Sequence, residues 1–347
     1  MQPVVCGLSS VVNSRGFFMY HELGPAQLRD GERVTAGVVT GPDEAWAERL
    51  EGLLGHKGEP WNWQNSAVLR QPLGLDARFY ILHRDGVPFA NILTVTRGGV
   101  GTFGHVWTRP ADRRRGASTR LMELLLPDFA TNGGQALYLH TGYESVAYWL
   151  YERFGFRSFA PQDGHMAYFT GEEGAFLADY FAGETAVIEP LTWHHWPASQ
   201  PLFAGAWPGY VRCAPLGLTG RQITEAAFLP LLREQEAVPA VGTTAVLRQP
   251  QTGAVCGFAC WQWHPIWWGM VLLDVYCHPN YWDRASDLLA ALSLPEAERV
   301  LAYADEDCPQ KWAALQGLGL EKTAVFPATM PVDPSRSREV GIVGFAR

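Results

Sequence analysis

Apolar residues in the first half of the chain follow strand and helix spacings in alternation. An extended stretch ends at Pro110, a short polar loop follows, and a helix is predicted to begin at about Gly116. Residues 136–141 predict a further strand, and residues 144–154 predict a helix that ends before Gly155. This alternation indicates a domain in which helices pack on a sheet.

The second half repeats this order of predicted elements. They are a hairpin, a strand, a helix, a strand and a helix, over residues 245–247 with 254–263, 270–277, 283–292, 300–304 and 310–318. From the second strand of each half onward the two copies align without a gap, so that Leu137 pairs with Leu301 and Tyr151 with Leu315. The chain therefore contains one architecture twice.

The loop after Pro110 combines basic and small residues, Arg113 to Ser118. A helix N-terminus offers unpaired N–H groups and the positive end of a dipole, and Gly116 allows a ligand to approach the backbone. Five of the 27 basic residues lie between Arg109 and Arg120, although the chain carries a net charge of −8. The loop predicts a phosphate site, and the alternative is an ordinary strand-to-helix loop with solvated arginines.

This loop and the segment AYWLYERFGF, residues 147–156, resemble in order and spacing the two signature motifs of the GNAT superfamily of acyl-CoA-dependent N-acyltransferases. The resemblance implies an α/β (α+β) GNAT fold in two tandem copies, each a mixed, mostly antiparallel sheet flanked by helices. It also implies acetyl-CoA, or another acyl-CoA, as co-substrate.

By resemblance, the pyrophosphate is expected on the loop and the thioester carbonyl on backbone N–H groups of the preceding strand. The expected cofactor residues are Val106, Trp107, Thr108, Arg113, Arg114, Arg115, Gly116, Ala117, Ser118, Glu144 and Ala147. Ser118 departs from the Gly or Ala usual in the family. Glu144 stands where the family often has asparagine, and the alternative for it is a helix cap.

Two residues are the expected catalytic groups. Tyr151 occupies the position of the tyrosine that the family commonly uses as general acid towards the CoA thiolate, and core packing is the alternative role. His105, on the strand before the loop, is the candidate general base, because an imidazole suits deprotonation of an ammonium. His83, His21 and Glu22 are weaker candidates for the base.

The second copy lacks the features that make the loop attractive to phosphate. Residues 282–287 contain no glycine and include two carboxylates, Asp283 and Asp287, and the tyrosine position is Leu315. We expect this copy to keep the fold, to have lost the cofactor, and to pack against the first copy and enclose its substrate cleft. Tryptophans in both copies, Trp61, Trp63, Trp107, Trp149, Trp261, Trp263, Trp267 and Trp268, suggest an aromatic cleft or domain interface.

The expected organisation has five parts. They are an N-terminal extension (1–30), a catalytic GNAT domain (31–172), a linker (173–185), a degenerate GNAT-like domain (186–330) and a C-terminal tail (331–347). As partner we expect a small amine or amino-acid-like metabolite. The alternatives are an acyl-CoA sensor without turnover and a GNAT-type acyl-CoA enzyme with a non-amine acceptor.

Composition excludes several other classes. The acidic chain argues against nucleic acid as partner, and no apolar run reaches membrane length. Without a basic segment before its mildly apolar start, the chain is expected to be cytoplasmic with reduced cysteines, as a monomer or homodimer. Cys256, Cys260, His264, Cys277 and His278 do not predict a metal site, because residues four apart on a strand are separated by about 13 Å.

Overall fold

The structure, a computed structural model, describes residues 20–237, 242–332 and 338–347. Over these residues the chain forms an eight-stranded sheet in its first half and a seven-stranded sheet in its second, together with a short two-stranded pair. Helices flank both large sheets, so the predicted fold class, mixed sheets flanked by helices, is confirmed.

The first sheet follows the predicted pattern closely. Its strands are β1 (Tyr20–Gln27), β2 (Arg33–Gly41), β3 (Asp76–Arg84), β4 (Val87–Arg97), β5 (Val100–Thr108), β6 (Ala136–His140), β7 (Arg157–Ser158) and β8 (His165–Phe169). Their order across the sheet is β1-β2-β3-β4-β5-β6-β8-β7. The parallel pair is β5 with β6, which are joined over Val100–Thr102 and Ala136–Tyr138. Beyond this short register the two strands separate and leave a gap at their C-terminal ends.

Five helices accompany this sheet in the described chain. They are α1 (Glu44–Leu54), α2 (Trp61–Arg70), α3 (Ala117–Thr131), α4 (Val146–Arg153) and α5 (Glu173–Tyr180). Apolar residues of α3 and α4, with Phe103 and Tyr80 from the strands, form a core on one face of the sheet. Residues of α1 and α2 cover the other face, where Leu50 and Phe79 are fully buried. The amphipathic helices thus bury their apolar sides on the two sheet faces.

The second large sheet repeats the first in its connections. Its strands are β9 (Val187–Glu189), β12 (Thr244–Arg248), β13 (Val255–Trp263), β14 (Met270–Cys277), β15 (Arg299–Asp305), β16 (Glu321–Pro331) and β17 (Glu339–Ala346). From one edge the order is β9-β12-β13-β14-β15-β17-β16, and β14 with β15 is the parallel pair. This order matches β2-β3-β4-β5-β6-β8-β7 strand for strand. The repeat that the sequence predicts is therefore present in the backbone.

The remaining elements of the second half are short. The helices are α6 (His195–Ala198), α7 (Gln200–Ala204), α8 (Glu225–Ala237), α9 (Ala285–Ala290) and α10 (Pro309–Gly317), and the small pair consists of β10 (Val211–Cys213) and β11 (Leu218–Thr219). A single apolar cluster runs from the α1–α2 face of the first sheet into the second half. Within it the rings of Trp63 and Trp193 lie 5.0 Å apart. The two halves thus share one core.

Three predicted segment assignments need correction. Residues 20–27 of the predicted extension form β1, which pairs with β2, and residues 1–19 lie outside the described part. The predicted linker contains the helix α5. The predicted tail contains β17, which lies between β15 and β16 in the second sheet. Of the three, β17 depends on pairing with β15, a strand that is not its neighbour in sequence, so its place in the sheet could not be predicted from local patterns.

Candidate active site

A cavity of about 670 Å³ lies between β5, the start of α3 and α4. Tyr151 lines it together with nine of the eleven predicted cofactor residues, Val106, Trp107, Thr108, Arg113, Arg114, Gly116, Ala117, Ser118 and Ala147. The two signature segments, separate in sequence, therefore form the walls of one cavity.

The loop before α3 turns its backbone sharply. Arg114 has φ 64° and Gly116 has φ 86°, both in the left-handed region, where glycine carries the smaller penalty. No protein acceptor is found among the described residues for the N–H groups of Arg114 through Ser118. The loop thus presents consecutive unpaired donors at the positive end of the α3 dipole, as anion binding requires.

The three loop arginines have different surroundings. Arg113 and Arg114 are exposed, and the Arg113 guanidinium lies 4.4 Å from the ring of Trp107. Arg115 instead forms ion pairs with Asp30 (2.5 Å), Glu32 and Asp112 (3.1 Å). Carboxylates of the β1–β2 turn and the loop thus compensate the charge of the Arg115 side chain, which does not line the cavity. Of Arg115, only the backbone N–H stays a predicted cofactor contact.

Two further arginines, which the sequence analysis missed, line the cavity. Arg29 comes from the β1–β2 turn, and a methyl group at Gly116 would lie 3.1 Å from its Cγ. Arg153 extends from α4 and donates to Thr119 Oγ1 over 3.3 Å. The basic residue at the end of the AYWLYER segment was the available signal for Arg153. For Arg29 no local signal exists.

Glu144 does not contribute to this cavity. Its side chain is exposed, its φ is 57°, and it is absent from the cavity lining. The cap of α4 is Ser145, whose Oγ accepts the Tyr148 N–H over 3.1 Å. Both roles considered for Glu144, cofactor contact and helix cap, are therefore unsupported by its position.

Tyr151 lies at the inner wall of the cavity. Its side chain is only 6% exposed, and its ring packs edge-on against Phe103 at 5.2 Å. Within the described residues its hydroxyl has no hydrogen-bond partner. Burial, and secondarily the nearby Glu225 carboxyl, raise the pKa of Tyr151 above its ordinary value. The phenol therefore remains protonated at neutral pH and is available as a donor.

A bulge interrupts β5 beside this tyrosine. Leu93 pairs with Gly104 and Asn91 with Trp107, so that His105 and Val106 face one residue of β4. His105 has φ 52°, and its carbonyl accepts the Asn91 side-chain N–H over 3.1 Å. The bulge bends the strand at the point where it leaves β6.

His105 is buried rather than placed in the cavity. Its Nδ1 lies 3.3 Å from Asn65 Nδ2, and its ring meets that of Trp61 edge-on. Burial, with smaller effects of Lys57 and His56, lowers the pKa of His105 to about 3. The structure disfavours His105 as general base, because so weak a base cannot hold a proton from an ammonium near neutral pH.

Buried amide side chains surround this bulge on the α2 side of the sheet. In the described residues no partner is present for Gln64 Nε2 and Oε1, Asn65 Oδ1 or Asn91 Oδ1. Buried polar atoms are normally paired, so each unpaired one indicates an unmet interaction. The sequence analysis missed these residues, since amides in an apolar helix and strand carry no motif.

The corresponding region of the second half is closed. The strands β14 and β15 also separate beyond their short parallel register, but β10 and the turn after it occupy the gap. Asp305 accepts the N–H of Val211 over 2.8 Å, and Lys311 donates to the Val211 carbonyl over 2.9 Å. Asp274 accepts the N–H of Ala214 over 2.6 Å. The chain itself thus fills the gap that remains open in the first half.

The tryptophans do not share one environment. Trp107 stacks near His56, Trp149 lines the cavity, and Trp63 lies in the core common to both halves. Trp263, Trp267 and Trp268 are exposed at the tip of the β13–β14 hairpin. The predicted aromatic interface therefore includes Trp63 but not these three residues.

Two further observations concern other kinds of site. No group of three potential metal-ligating side chains occurs in the part of the chain that is described. Cys213 and Cys260 are both buried, and their Sγ atoms lie 3.4 Å apart. Across the same residues, no helix has both the length and the apolar character needed to cross a membrane.

Comparison with solved structures finds several acetyltransferases. A GNAT-family acetyltransferase from Bacillus anthracis is 13% identical and aligns over 48% of this chain and 96% of its own, with a TM-score of 0.33. YncA from Salmonella typhimurium, solved with its cofactor acetyl-CoA, is 16% identical. Its alignment covers 47% of this chain and 94% of YncA, with a TM-score of 0.36. Phosphinothricin acetyltransferase from Sinorhizobium meliloti, in complex with acetyl-CoA, is also 16% identical. Its alignment covers 47% of this chain and 88% of that protein, with a TM-score of 0.36.

Sequence comparison gives a more specific result. No curated protein sequence matches the chain. A sequence model of the Acetyltransferase (GNAT) family matches residues 46–156, a range that contains both the loop before α3 and the segment that ends at Phe156. The resemblance inferred from these two segments is thereby confirmed, and residues 46–156 are a domain of the GNAT acetyltransferase family.

Proposed function

We propose that this chain is an acyl-CoA-dependent N-acyltransferase that transfers acetyl from acetyl-CoA directly to a small-molecule amine. One observation carries the proposal. A single cavity is lined at one wall by Arg114 and by Gly116 to Ser118, whose N–H groups have no acceptor in the described residues, and at another wall by Tyr151, whose hydroxyl has no partner there. Direct acyl transfer needs both an anchor for the pyrophosphate and a proton for the departing thiolate.

The loop residues divide the binding of acetyl-CoA between backbone and side chains. The unpaired N–H groups receive the pyrophosphate, and Arg113 and Arg114 add attraction that solvent screens. Arg29 and Arg153, which line the same cavity, extend the positive surface. Val106 and Trp107 lie where the β5 bulge interrupts the ladder, and their N–H groups are our candidates to polarise the thioester carbonyl.

Tyr151 acts as general acid in this proposal. Its raised pKa keeps the phenol protonated until negative charge develops on the sulfur of CoA. Contacts with Phe103 and Phe156 hold the Tyr151 ring, and Tyr151 lines the cavity. Packing and proton donation are therefore compatible in this position.

The second half serves the first in this proposal. We assign it as a GNAT-like domain without cofactor, because it repeats the strand order while β10 fills its gap and Asp283 and Asp287 replace the basic loop. Its domain extends to β17, and the catalytic domain begins with β1.

The test is release of CoA from acetyl-CoA with a panel of arylalkylamines, polyamines and L-amino acids. For Tyr151→Phe we expect kcat to fall roughly 10²- to 10³-fold because the thiolate loses its proton donor. Acetyl-CoA affinity, measured by calorimetry, should stay within about twofold, as expected for an interaction made only in the transition state.

Tyr148→Phe is the matched control on the same helix. The Tyr148 hydroxyl lies 3.0 Å from Ser158 Oγ, and Tyr148 does not line the cavity, so its loss should leave kcat unchanged. Wild-type kcat in Tyr151→Phe would refute the acid role. Acetyl-CoA binding without CoA release for any amine would favour a sensor, and CoA release without an amine would favour another acceptor.

A further inference from the structure

The carboxyl group of Glu225, in the second half of the chain, lies against strand β5 of the first half. Glu225 begins α8, and a methyl group at Gly104 would lie 3.1 Å from Glu225 Oε1. Gly104 directly precedes the β5 bulge, so the absence of a side chain there leaves room for the carboxyl. Sequence analysis of the first half could not anticipate this residue.

Glu225 and Tyr151 approach the gap between β5 and β6 from opposite sheet faces. Phe103 packs with Tyr151 on the α3–α4 face. Successive strand residues point to opposite faces, so Gly104, and with it Glu225, faces the α1–α2 side. The Glu225 carboxyl is nevertheless near enough to contribute to the raised pKa of Tyr151. The two groups therefore flank the gap in which a thioester would be attacked.

Three contacts hold the start of α8 in this place. The indole of Trp196 donates to the Glu225 carbonyl over 2.9 Å. Arg233, two turns further along α8, forms an ion pair with Glu59 of the first half at 3.1 Å. The Ile223 N–H lies 3.5 Å from Nδ1 of His165 in β8. The carboxyl is thus positioned by contacts with both halves.

The Glu225 carboxyl has no hydrogen bond or ion pair with the described residues. Two titratable groups interact electrostatically with it, Lys57 after α1 and Tyr151 in α4. His105 directly follows Gly104 in β5, and His165 in β8 lies beside the Ile223 N–H. Burial raises the pKa of Glu225 to about 8, and Lys57 acts in the opposite direction. Glu225 is half-buried, and a carboxylate partly removed from water without a bonded partner is destabilised, a cost that a cationic ligand reduces.

We propose that Glu225 of the second half completes the active site of the first by binding the ammonium group of the acceptor and accepting its proton. This inference rests on the proposed acyl transfer. It also specifies the substrate class, a primary or secondary alkylammonium that is cationic near neutral pH. Alcohols, thiols and weakly basic aromatic amines carry no charge for Glu225 to bind.

The proton balance of the step is complete. Glu225 takes one proton from the ammonium, and the neutral amine attacks the thioester carbonyl to form the C–N bond. As the C–S bond breaks, the sulfur takes the Tyr151 proton. The new amide nitrogen returns its surplus proton to the Tyr151 oxygen, and Glu225 releases its proton to solvent. One amide, one CoA thiol and one proton result.

The experiment measures kcat/KM for the best amine of the panel as a function of pH. Wild-type activity should rise as pH increases through about 8, because the carboxylate form of Glu225 is the active one. Glu225→Gln should lose roughly 10²-fold or more in kcat/KM together with this rise. Acetyl-CoA affinity should remain within about twofold, since the loop residues are untouched.

Two further variants separate catalysis from folding. Glu234→Gln makes the same chemical change at an exposed position of α8 and should behave as wild type. Glu225→Ala should regain activity when formate is added, because a small carboxylate can occupy the vacated space. A purely structural residue would show no such rescue.

The outcomes distinguish the two proposals. If wild type turns over and Tyr151→Phe does not, acyl transfer holds, and an unchanged kcat/KM and pH profile in Glu225→Gln overturns the role of Glu225 alone. Lower activity with the pH rise intact, or weaker acetyl-CoA binding, would assign Glu225 to the fold and also overturn it. If wild type acylates no amine, both proposals fail.

Discussion

Identical arginine side chains in the loop before α3 have different surroundings because their neighbours differ. Arg114 is exposed beside the cavity, whereas Arg115 contacts three carboxylates and accounts for much of the attachment of the loop to the β1–β2 turn. Glu32 lies at the centre of this network, since both Arg84 and Arg115 bind it. Hydrogen bonds from these two arginines lower the pKa of Glu32 to about 2.

The ion pairs of Glu32 lead us to expect that the stability of the folded chain depends on pH. The pKa of Glu32 is lower in the folded chain than its ordinary value of 4.5. The ion pairs of Glu32 therefore stabilise the folded chain fully above about pH 4.5, and this stabilisation is lost as the pH falls through about 2. We expect Glu32→Gln to have a lower melting temperature than wild type at neutral pH and a smaller deficit at about pH 3. Thermal unfolding followed by circular dichroism measures both. A deficit that does not change with pH would show that charge is not the cause.

At the scale of elements, the junction between β5 and α3 concentrates the binding chemistry. The left-handed turn at Gly116 lets the chain reverse before α3, and Gly116 to Ser118, whose N–H groups lack an acceptor in the described residues, line the cavity. Gly133, just after the other end of α3, has a similar φ of 78° with nothing near its missing side chain. The two glycines thus share a conformational requirement but differ in surroundings.

This pair provides a matched experiment. Gly116→Ala and Gly133→Ala should each lower the free energy of unfolding by about 1 to 2 kcal/mol, the cost of a left-handed alanine. Only Gly116→Ala should weaken acetyl-CoA binding, by about tenfold, because a shift of 1.4 kcal/mol at the donors suffices. Urea unfolding and calorimetry measure the two quantities. Equal affinity losses in both variants would mean that the glycine acts through stability alone.

At the scale of the whole molecule, two copies of one strand order differ in the gap between their parallel strands. The gap between the parallel strands is open to a cavity in the first copy and filled by β10 in the second. Lys311 and Asp274, both essentially inaccessible, form an ion pair (2.5 Å) beside β10. In the second copy, part of the chain itself occupies the position that corresponds to the open gap of the first.

The filled gap predicts one acetyl-CoA site per chain. Calorimetric titration of wild type with acetyl-CoA should give a stoichiometry of one, because among the described residues the first copy combines unpaired loop donors with an open gap, whereas β10 fills the gap of the second. Gly116→Ala should weaken this single site and leave no second binding event of wild-type affinity. Two sites per chain would contradict the assignment of the second copy as cofactor-free.

The sequence by itself determined the elements and their repetition. The strands at Ala136 and Met270, the helix after Gly116 and the family motif follow from periodicity, glycine placement and local spacing, which act over neighbouring residues. Tyr151 was identified by its place in the segment that resembles the family motif. The roles of residues that depend on neighbours distant in sequence could not be predicted from the sequence alone.

Only the tertiary structure decided which charges meet. It paired Arg115 with the β1–β2 turn, buried His105 so that its pKa falls to about 3, and inserted β17 into the second sheet. It also brought Glu225 from the second half to Gly104 of the first. The physical reason is that burial and electrostatic environment come from the packing of remote segments, whereas periodicity records only which side of an element is apolar.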